Sequence, residues 1–163
     1  AAHVPVGGCE ISEALPLPRE LIRIYLDLRS DPSIKDKSHR SPSYVDAVRS
    51  VAERLIEAIS DYIGSLPSDQ AAKLTRAFTG TVAEEFARRF RGVESPDLSK
   101  PLGPELLDAV EEAVLRGVRD GKVRTRDVRT EADAVRLARL LAAETVIHAA
   151  TIFLSYVGTV RLA

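Results

Sequence analysis

Two polar side chains interrupt Ala143–Gly158, one of the most apolar runs in the sequence. Glu144 and His148 lie one helical turn apart, so on a helix both would point to the same side and could reach one metal ion. Zinc needs three or four ligands, however, and no second ligand motif such as Glu-x-x-His occurs elsewhere. His3 and His39 fall in expected loops, and nothing in the pattern requires them to approach. We therefore expect no metal site and no cofactor.

Thr151 and Ser155 continue the polar stripe that Glu144 and His148 begin, because the four positions fall within an arc of about 60° on a helix. Glu144 precedes His148 by four positions, which is the favoured order for an ion pair within a helix. The two hydroxyl groups can bond to carbonyl oxygens one turn earlier. We interpret the stripe as a narrow edge that faces solvent, or as the polar seam of a dimer.

The helix around this stripe is hydrophobic over most of its circumference. Such a helix is central in a bundle, lies at an oligomer interface or sits in lipid. Leu140–Val160 is long enough to span a bilayer. A carboxylate at that depth, such as that of Glu144, costs about 2.5 to 3.5 kcal/mol even on the lenient insertion scale. We therefore expect enclosure by protein helices and no membrane contact.

A basic segment precedes this last helix. Six cations against Asp120 and Asp127 leave a local charge of +4; they are Arg116, Arg119, Lys122, Arg124, Arg126 and Arg129. The segment could hold phosphates of a nucleic acid. Alternatively, its arginines form ion pairs with nearby acids. The same interpretation applies to the charged residues of an earlier helix, Glu84, Glu85, Arg88, Arg89 and Arg91. No aromatic residue is interleaved for base stacking. The ion-pair network is our main interpretation, and nucleic-acid contact is the alternative.

No catalytic signature of the phosphate-loop, dinucleotide-fold or nucleophile-elbow type occurs in the sequence. Cys9, beside Gly7 and Gly8, is poorly placed to hold a nucleophile still. As the single cysteine it excludes an intrachain disulfide and is typical of a reducing cytoplasm. The first twenty residues are too interrupted by proline and glycine for a secretory signal peptide. We expect a cytoplasmic protein that is not an enzyme.

The composition indicates life at high temperature. The chain has no Asn, Met or Trp and one Gln, and Arg outnumbers Lys by 18 to 5. Depletion of thermolabile residues beside many charges is typical of hyperthermophiles, in which ion-pair networks become less costly to desolvate. We infer a hyperthermophilic, archaeal source. The net charge of −1 provides no overall field that would attract nucleic acid or an anionic membrane.

Apolar residues at helical spacing predict four helices, which begin at Pro42, Ser68, Pro104 and Thr130. The first should end at Gly64 in a left-handed conformation. Gly80 suggests a bend in the second helix, or the close approach of a neighbour. Thr130 and Asp133 resemble a capping box at the start of the last helix, which should run to about Val157.

The chain of 163 residues is expected to form one all-α domain over 1–163, with an irregular N-terminal arm over 1–18. Residues 20–29 are ambiguous between a fifth helix and a strand. We predict an antiparallel bundle of about five helices. If 21–28 and 122–128 are strands, they could pair into a small two-stranded ribbon. The predicted function is association, as a homo-oligomer or as a small subunit of a larger assembly. A nucleic-acid-binding or small-ligand-binding regulatory module is the alternative.

Overall fold

Four helices and a short hairpin make up the described part of the chain. The computed structural model describes residues 3–6, 9–12, 42–125 and 128–162. The elements are β1 (His3–Val6), β2 (Cys9–Ser12), α1 (Pro42–Gly64), α2 (Ser68–Arg89), α3 (Pro104–Arg119) and α4 (Glu131–Leu162). The all-helical character predicted for the body of the chain is thus confirmed.

The long helix α4 lies at the centre of the bundle, and α1, α2 and α3 all pack against it. Most of its apolar side chains are buried because they lie around much of its circumference and the helix has neighbours on several sides. Phe153 meets Phe78 of α2 edge to face, with ring centroids 5.3 Å apart and planes at 61°. The prediction that the last helix is enclosed by protein helices is therefore confirmed for the described residues.

Local chemistry sets the helix boundaries. α1 begins with Pro42, whose missing N–H is no loss in the first turn. At α4 the Asp133 amide donates to Thr130 Oγ1 at 3.1 Å, while the Thr130 amide donates to Asp133 Oδ2 at 3.3 Å. This reciprocal pair confirms the capping box. Gly64 does end α1, but its φ is not positive; the helix closes instead through Ser65, whose hydroxyl donates to a carbonyl in the last turn.

Two glycines inside helices have opposite surroundings. A Cβ built on exposed Gly80 would meet nothing within 4 Å, so the expected close approach of a neighbour is wrong, and α2 continues through this position. A Cβ on buried Gly117 would lie 2.9 Å from methyl groups of both Val93 and Val123. α3 therefore needs glycine at Gly117, and not for conformational reasons but for space.

Two arginines link three helices on the surface. Arg49 of α1 donates to Glu53 on its own helix at 3.0 Å, to Asp108 of α3 at 2.9 Å and to Glu111 of α3. Arg139 of α4 adds contacts to Glu111 and to α1. We call Arg49 with its three carboxylates the Arg49 cluster. It connects α1 to α3, with α4 joined at its edge.

The N-terminal arm was expected to be irregular, but it contains two short strands. β1 and β2 pair antiparallel, with Pro5 opposite Glu10. In the sequence the two strands are separated by Gly7 and Gly8, a pair of residues that favours tight hairpins. The hairpin packs on the bundle, β1 against α4 and β2 against α2.

The predicted fifth helix and the predicted ribbon are not confirmed. Residues 20–29 lie outside the described residues. Of the proposed second strand, 122–125 and 128 have no regular structure. The two-stranded sheet that does occur lies elsewhere, at the N-terminal hairpin.

Glu131–Val157 is the one stretch of the described chain that is long and apolar enough to cross a membrane, judged by length and composition alone. An 18-residue window within this stretch has a mean hydropathy of 1.6, and 56% of that window is buried inside the protein. The central helix of a bundle meets the same criterion, so this is weak support for a membrane span.

Candidate functional site

The predicted polar stripe lies along an edge of α4 that reaches solvent. His148 and Ser155 are exposed, and Glu144 and Thr151 are partly buried. Thr151 Oγ1 donates to the Ile147 carbonyl and Ser155 Oγ to the Thr151 carbonyl, each at 2.9 Å. The two hydroxyl groups thus bond back by one turn, as expected.

His148 bonds to a carboxylate on another helix and not to Glu144, the partner that the spacing had favoured. Its Nδ1 lies 2.8 Å from Oε1 of Glu85 on α2. Glu85 is only 3% exposed, whereas the His148 side chain is 52% exposed. The contact therefore joins a buried acid to a half-exposed ring across the helix interface.

Two arginines of α2 donate to the same oxygen. Arg88 Nη2 lies 2.5 Å and Arg89 Nε 3.1 Å from Glu85 Oε1. Burial by itself raises the pKa of the Glu85 carboxyl, but the hydrogen bonds from Arg88, His148 and Arg89 more than reverse this and lower the pKa to about 2. Glu85 is consequently ionised at neutral pH. We call Glu85 with its three donors the Glu85 cluster.

The ionised carboxylate fixes the chemistry of the imidazole. Because a carboxylate can only accept, Nδ1 of His148 must carry the proton that lies between them. In the neutral ring Nε2 is then a hydrogen-bond acceptor on the half-exposed side chain. No group of three or more His, Cys, Asp and Glu within the described ranges could hold a metal ion. The arrangement can accept a proton or a hydrogen bond from outside the chain.

The charge pattern alone predicted Glu85 to be a member of an ion-pair network. The spacing of the apolar residues indicates more, since Glu85 follows Val82 by three positions and Phe78 by seven. Both of those residues are fully buried, and the helical period places Glu85 on their face of α2. A charged residue in the register of the apolar stripe indicates a buried charge that needs partners to compensate it.

The basic segment does not form one continuous cationic surface. Arg119 donates to Glu131 through Nε at 3.0 Å and also through Nη2, which raises the pKa of Arg119 and lowers that of Glu131. Arg129 is exposed, and its backbone amide belongs to the α4 cap. Arg126 lies outside the described residues. Lys122 and Arg124 are exposed and make no ion pair within the described chain.

Arg116 lies in a groove of mixed charge along α3. The groove has a volume of about 290 Å³ and is lined by Asp97, Lys100, Glu105, Asp108, Ala109, Glu112 and Arg116. Four carboxylates against two cations disfavour a phosphate there. Arg116 is therefore separated electrostatically from the cations that follow it.

A ridge of exposed and partly exposed side chains starts at His148 of the polar stripe and runs towards the end of α4. Tyr156 is 59% exposed, while the other large hydrophobic side chains that the structure describes are buried or partly buried. Ile152, one turn earlier, is partly exposed, and His148 lies one turn before that. We call His148, Ile152 and Tyr156 the α4 ridge.

No protein-family model, curated protein or solved structure matches the chain.

Proposed function

We propose that the protein is a non-enzymatic helical module that acts by association, as a homo-oligomer or as a subunit of a larger assembly, through the α4 ridge. The observation that supports this most is Tyr156, which is 59% exposed although the other large hydrophobic side chains of the described residues are buried or partly buried. Tyrosine combines a large apolar ring with a hydroxyl, and it is enriched at protein interfaces.

The surroundings of the ridge also favour a protein partner. Thr151 and Ser155 already bond to backbone carbonyls of their own helix, so their hydroxyl groups can be covered without a large desolvation penalty. Ile152 contributes aliphatic surface beside them. A partly apolar strip flanked by polar groups resembles the centre and rim of an interface.

The test is the mass in solution at micromolar concentration, measured by light scattering. The monomer has a mass of 17.8 kDa. We expect a multiple of this value, and a return to the monomer in Tyr156→Ser. Arg76→Ser, an exposed change on α2, is the control and should leave the mass unchanged. A wild-type protein that is monomeric and stays so across this range would contradict self-association.

Nucleic-acid binding through the basic segment is the second candidate. It is supported by Lys122 and Arg124, which are exposed and lack ion pairs in the described chain. Each neutralised phosphate adds to the salt dependence of binding, so Arg124→Ala should weaken binding to a duplex and reduce the salt slope by about one. Equal affinity of Arg124→Ala and wild type would remove this candidate.

We further propose a cytoplasmic setting in a hyperthermophilic archaeon. The depletion of Asn, Gln and Met supports this, as do the ion pairs of Arg49 and Arg139 that link three helices. Networks of this kind stabilise proteins most at high temperature. Thermal unfolding monitored by circular dichroism should show a midpoint above about 90 °C. A midpoint in the mesophilic range would contradict the proposed habitat.

A further inference from the structure

We propose that a second copy of this chain docks on the α4 ridge across a twofold axis at Ile152, with Tyr156 of each protomer donating a hydrogen bond to His148 of the other. This inference rests on the proposed self-association and specifies its geometry. The two contacts of each ridge would be equivalent, as in the closed twofold dimers that dominate soluble oligomers.

The spacing along the ridge supplies the symmetry. His148, Ile152 and Tyr156 follow one another at four-residue intervals, the rows that interdigitate when two helices pack by ridges into grooves. His148 and Tyr156 are equidistant from Ile152. Two antiparallel copies that cross at Ile152 therefore bring each histidine to the partner's tyrosine, whereas parallel copies would pair like with like.

The donor and acceptor chemistry of the ridge is complementary to itself. Glu85 holds Nδ1–H of His148, which leaves Nε2 as an acceptor on a half-exposed ring. Tyr156 offers an O–H donor on the same face. Eight residues of helix separate them by about 12 Å, so they cannot bond within one chain. A second copy provides both missing partners at once.

The charges around the histidine are compatible with such a contact. On α2, the Glu85 carboxylate is balanced by Arg88 and Arg89. On α4 itself, Glu144 lies one turn before His148 and close enough to Tyr44 of α1 to raise the pKa of that phenol, together with the larger effect of burial. An approaching tyrosine hydroxyl is neutral, so none of these charges repels it.

Disulfide trapping in the full chain tests the axis. In a Cys9→Ser background, Ile152→Cys places one thiol of each protomer at the crossing point. When two helix axes lie about 8 to 10 Å apart, residues that face each other at the crossing point have Cα atoms close enough for a disulfide. Mild oxidation should give a covalent dimer. Ala72→Cys, exposed on α2, is the control and should remain uncrosslinked.

The hydrogen bond is tested separately by Tyr156→Phe, which keeps the ring and removes the hydroxyl. Two lost bonds per dimer should weaken the dimer about tenfold or more in a dilution series followed by light scattering. A dimer that does not crosslink at position 152, or that binds equally well without the hydroxyl, would overturn this geometry and leave the proposed association intact. A monomeric wild-type chain would overturn both.

Discussion

The Arg49 cluster and the Glu85 cluster have groups of opposite charge at their centres. The first is one guanidinium that donates to three carboxylates, and the second is one carboxylate that accepts from two guanidinium groups and one imidazole. They differ in the depth of the central group: the Arg49 side chain is 17% exposed, whereas Glu85 is 3% exposed. The Arg49 guanidinium keeps its charge at every accessible pH, but the Glu85 carboxyl can be titrated.

The difference shows how two clusters of similar composition contribute in different ways. At the Arg49 cluster, water and salt screen the partners, so each contact adds little. At the Glu85 cluster, the buried carboxylate has lost its water and depends on the three donors for compensation. We therefore expect a larger, pH-dependent contribution from the Glu85 cluster and a smaller, salt-dependent contribution from the Arg49 cluster.

Glu85→Gln should have the largest effect. The amide keeps the shape of the side chain but removes the charge that Arg88, Arg89 and His148 surround. A carboxyl pKa lowered from 4.5 to about 2 corresponds to about 3 kcal/mol. We expect a loss of this order in the free energy of unfolding at pH 7, measured by urea denaturation. Glu84→Gln, the exposed neighbour, is the matched control and should change stability by less than about 0.5 kcal/mol.

The same contribution should disappear in acid. The folded-state pKa of Glu85 lies below its unfolded value of 4.5, so the unfolded chain binds more protons between the two and stability falls with falling pH. The contribution is complete above pH 4.5 and is lost as the pH falls through about 2. The gap between wild type and Glu85→Gln should therefore close over this range in urea titrations. A gap that stays constant down to pH 2 would show that the carboxylate charge is not what stabilises the site.

Arg49→Gln should cost less, about 1 kcal/mol, because the partner carboxylates Glu53 and Asp108 are half-exposed. Raising the salt from 0.1 to 1 M shortens the screening length from about 10 Å to 3 Å. We expect this loss to shrink in 1 M NaCl while the loss in Glu85→Gln persists. Arg54→Gln, exposed on the same helix, serves as the control. Equal salt sensitivity of the two clusters would remove the distinction between them.

The smallest effects on the free energy of unfolding are expected for the two arginines of the Glu85 cluster. Arg88 makes the shorter contact, 2.5 Å against 3.1 Å, but its side chain is 63% exposed and that of Arg89 is 28% exposed. We expect exposure to decide, with Arg88→Ala costing about 0.5 kcal/mol or less and Arg89→Ala about 1 kcal/mol. Urea denaturation at pH 7 distinguishes them. A greater loss in Arg88→Ala would mean that bond length outweighs solvent screening here.

The sequence predicted what local chemistry controls. Pro42 and the Thr130–Asp133 box act within one turn, so the starts of α1 and α4 were correctly placed. The hydrophobic circumference of α4 also predicted that other protein helices enclose it. The partner of His148 could not be identified in this way, because Glu85 lies 63 positions away and the contact depends on how α2 packs. The proposed ridge could not be identified from the sequence either, because it depends on the exposure of Tyr156 beside buried residues of the same helix.

Gly117 has a consequence for how this chain could vary. Val93 and Val123, from the connections before and after α3, both press against its bare α-carbon. Connections between helices ordinarily accept inserted residues readily. Here an insertion beside either valine would disturb the anchor of the other, so the two connections behave as one clamp. Lineages of this protein should therefore gain or lose residues elsewhere on its surface, and keep these two junctions at fixed length.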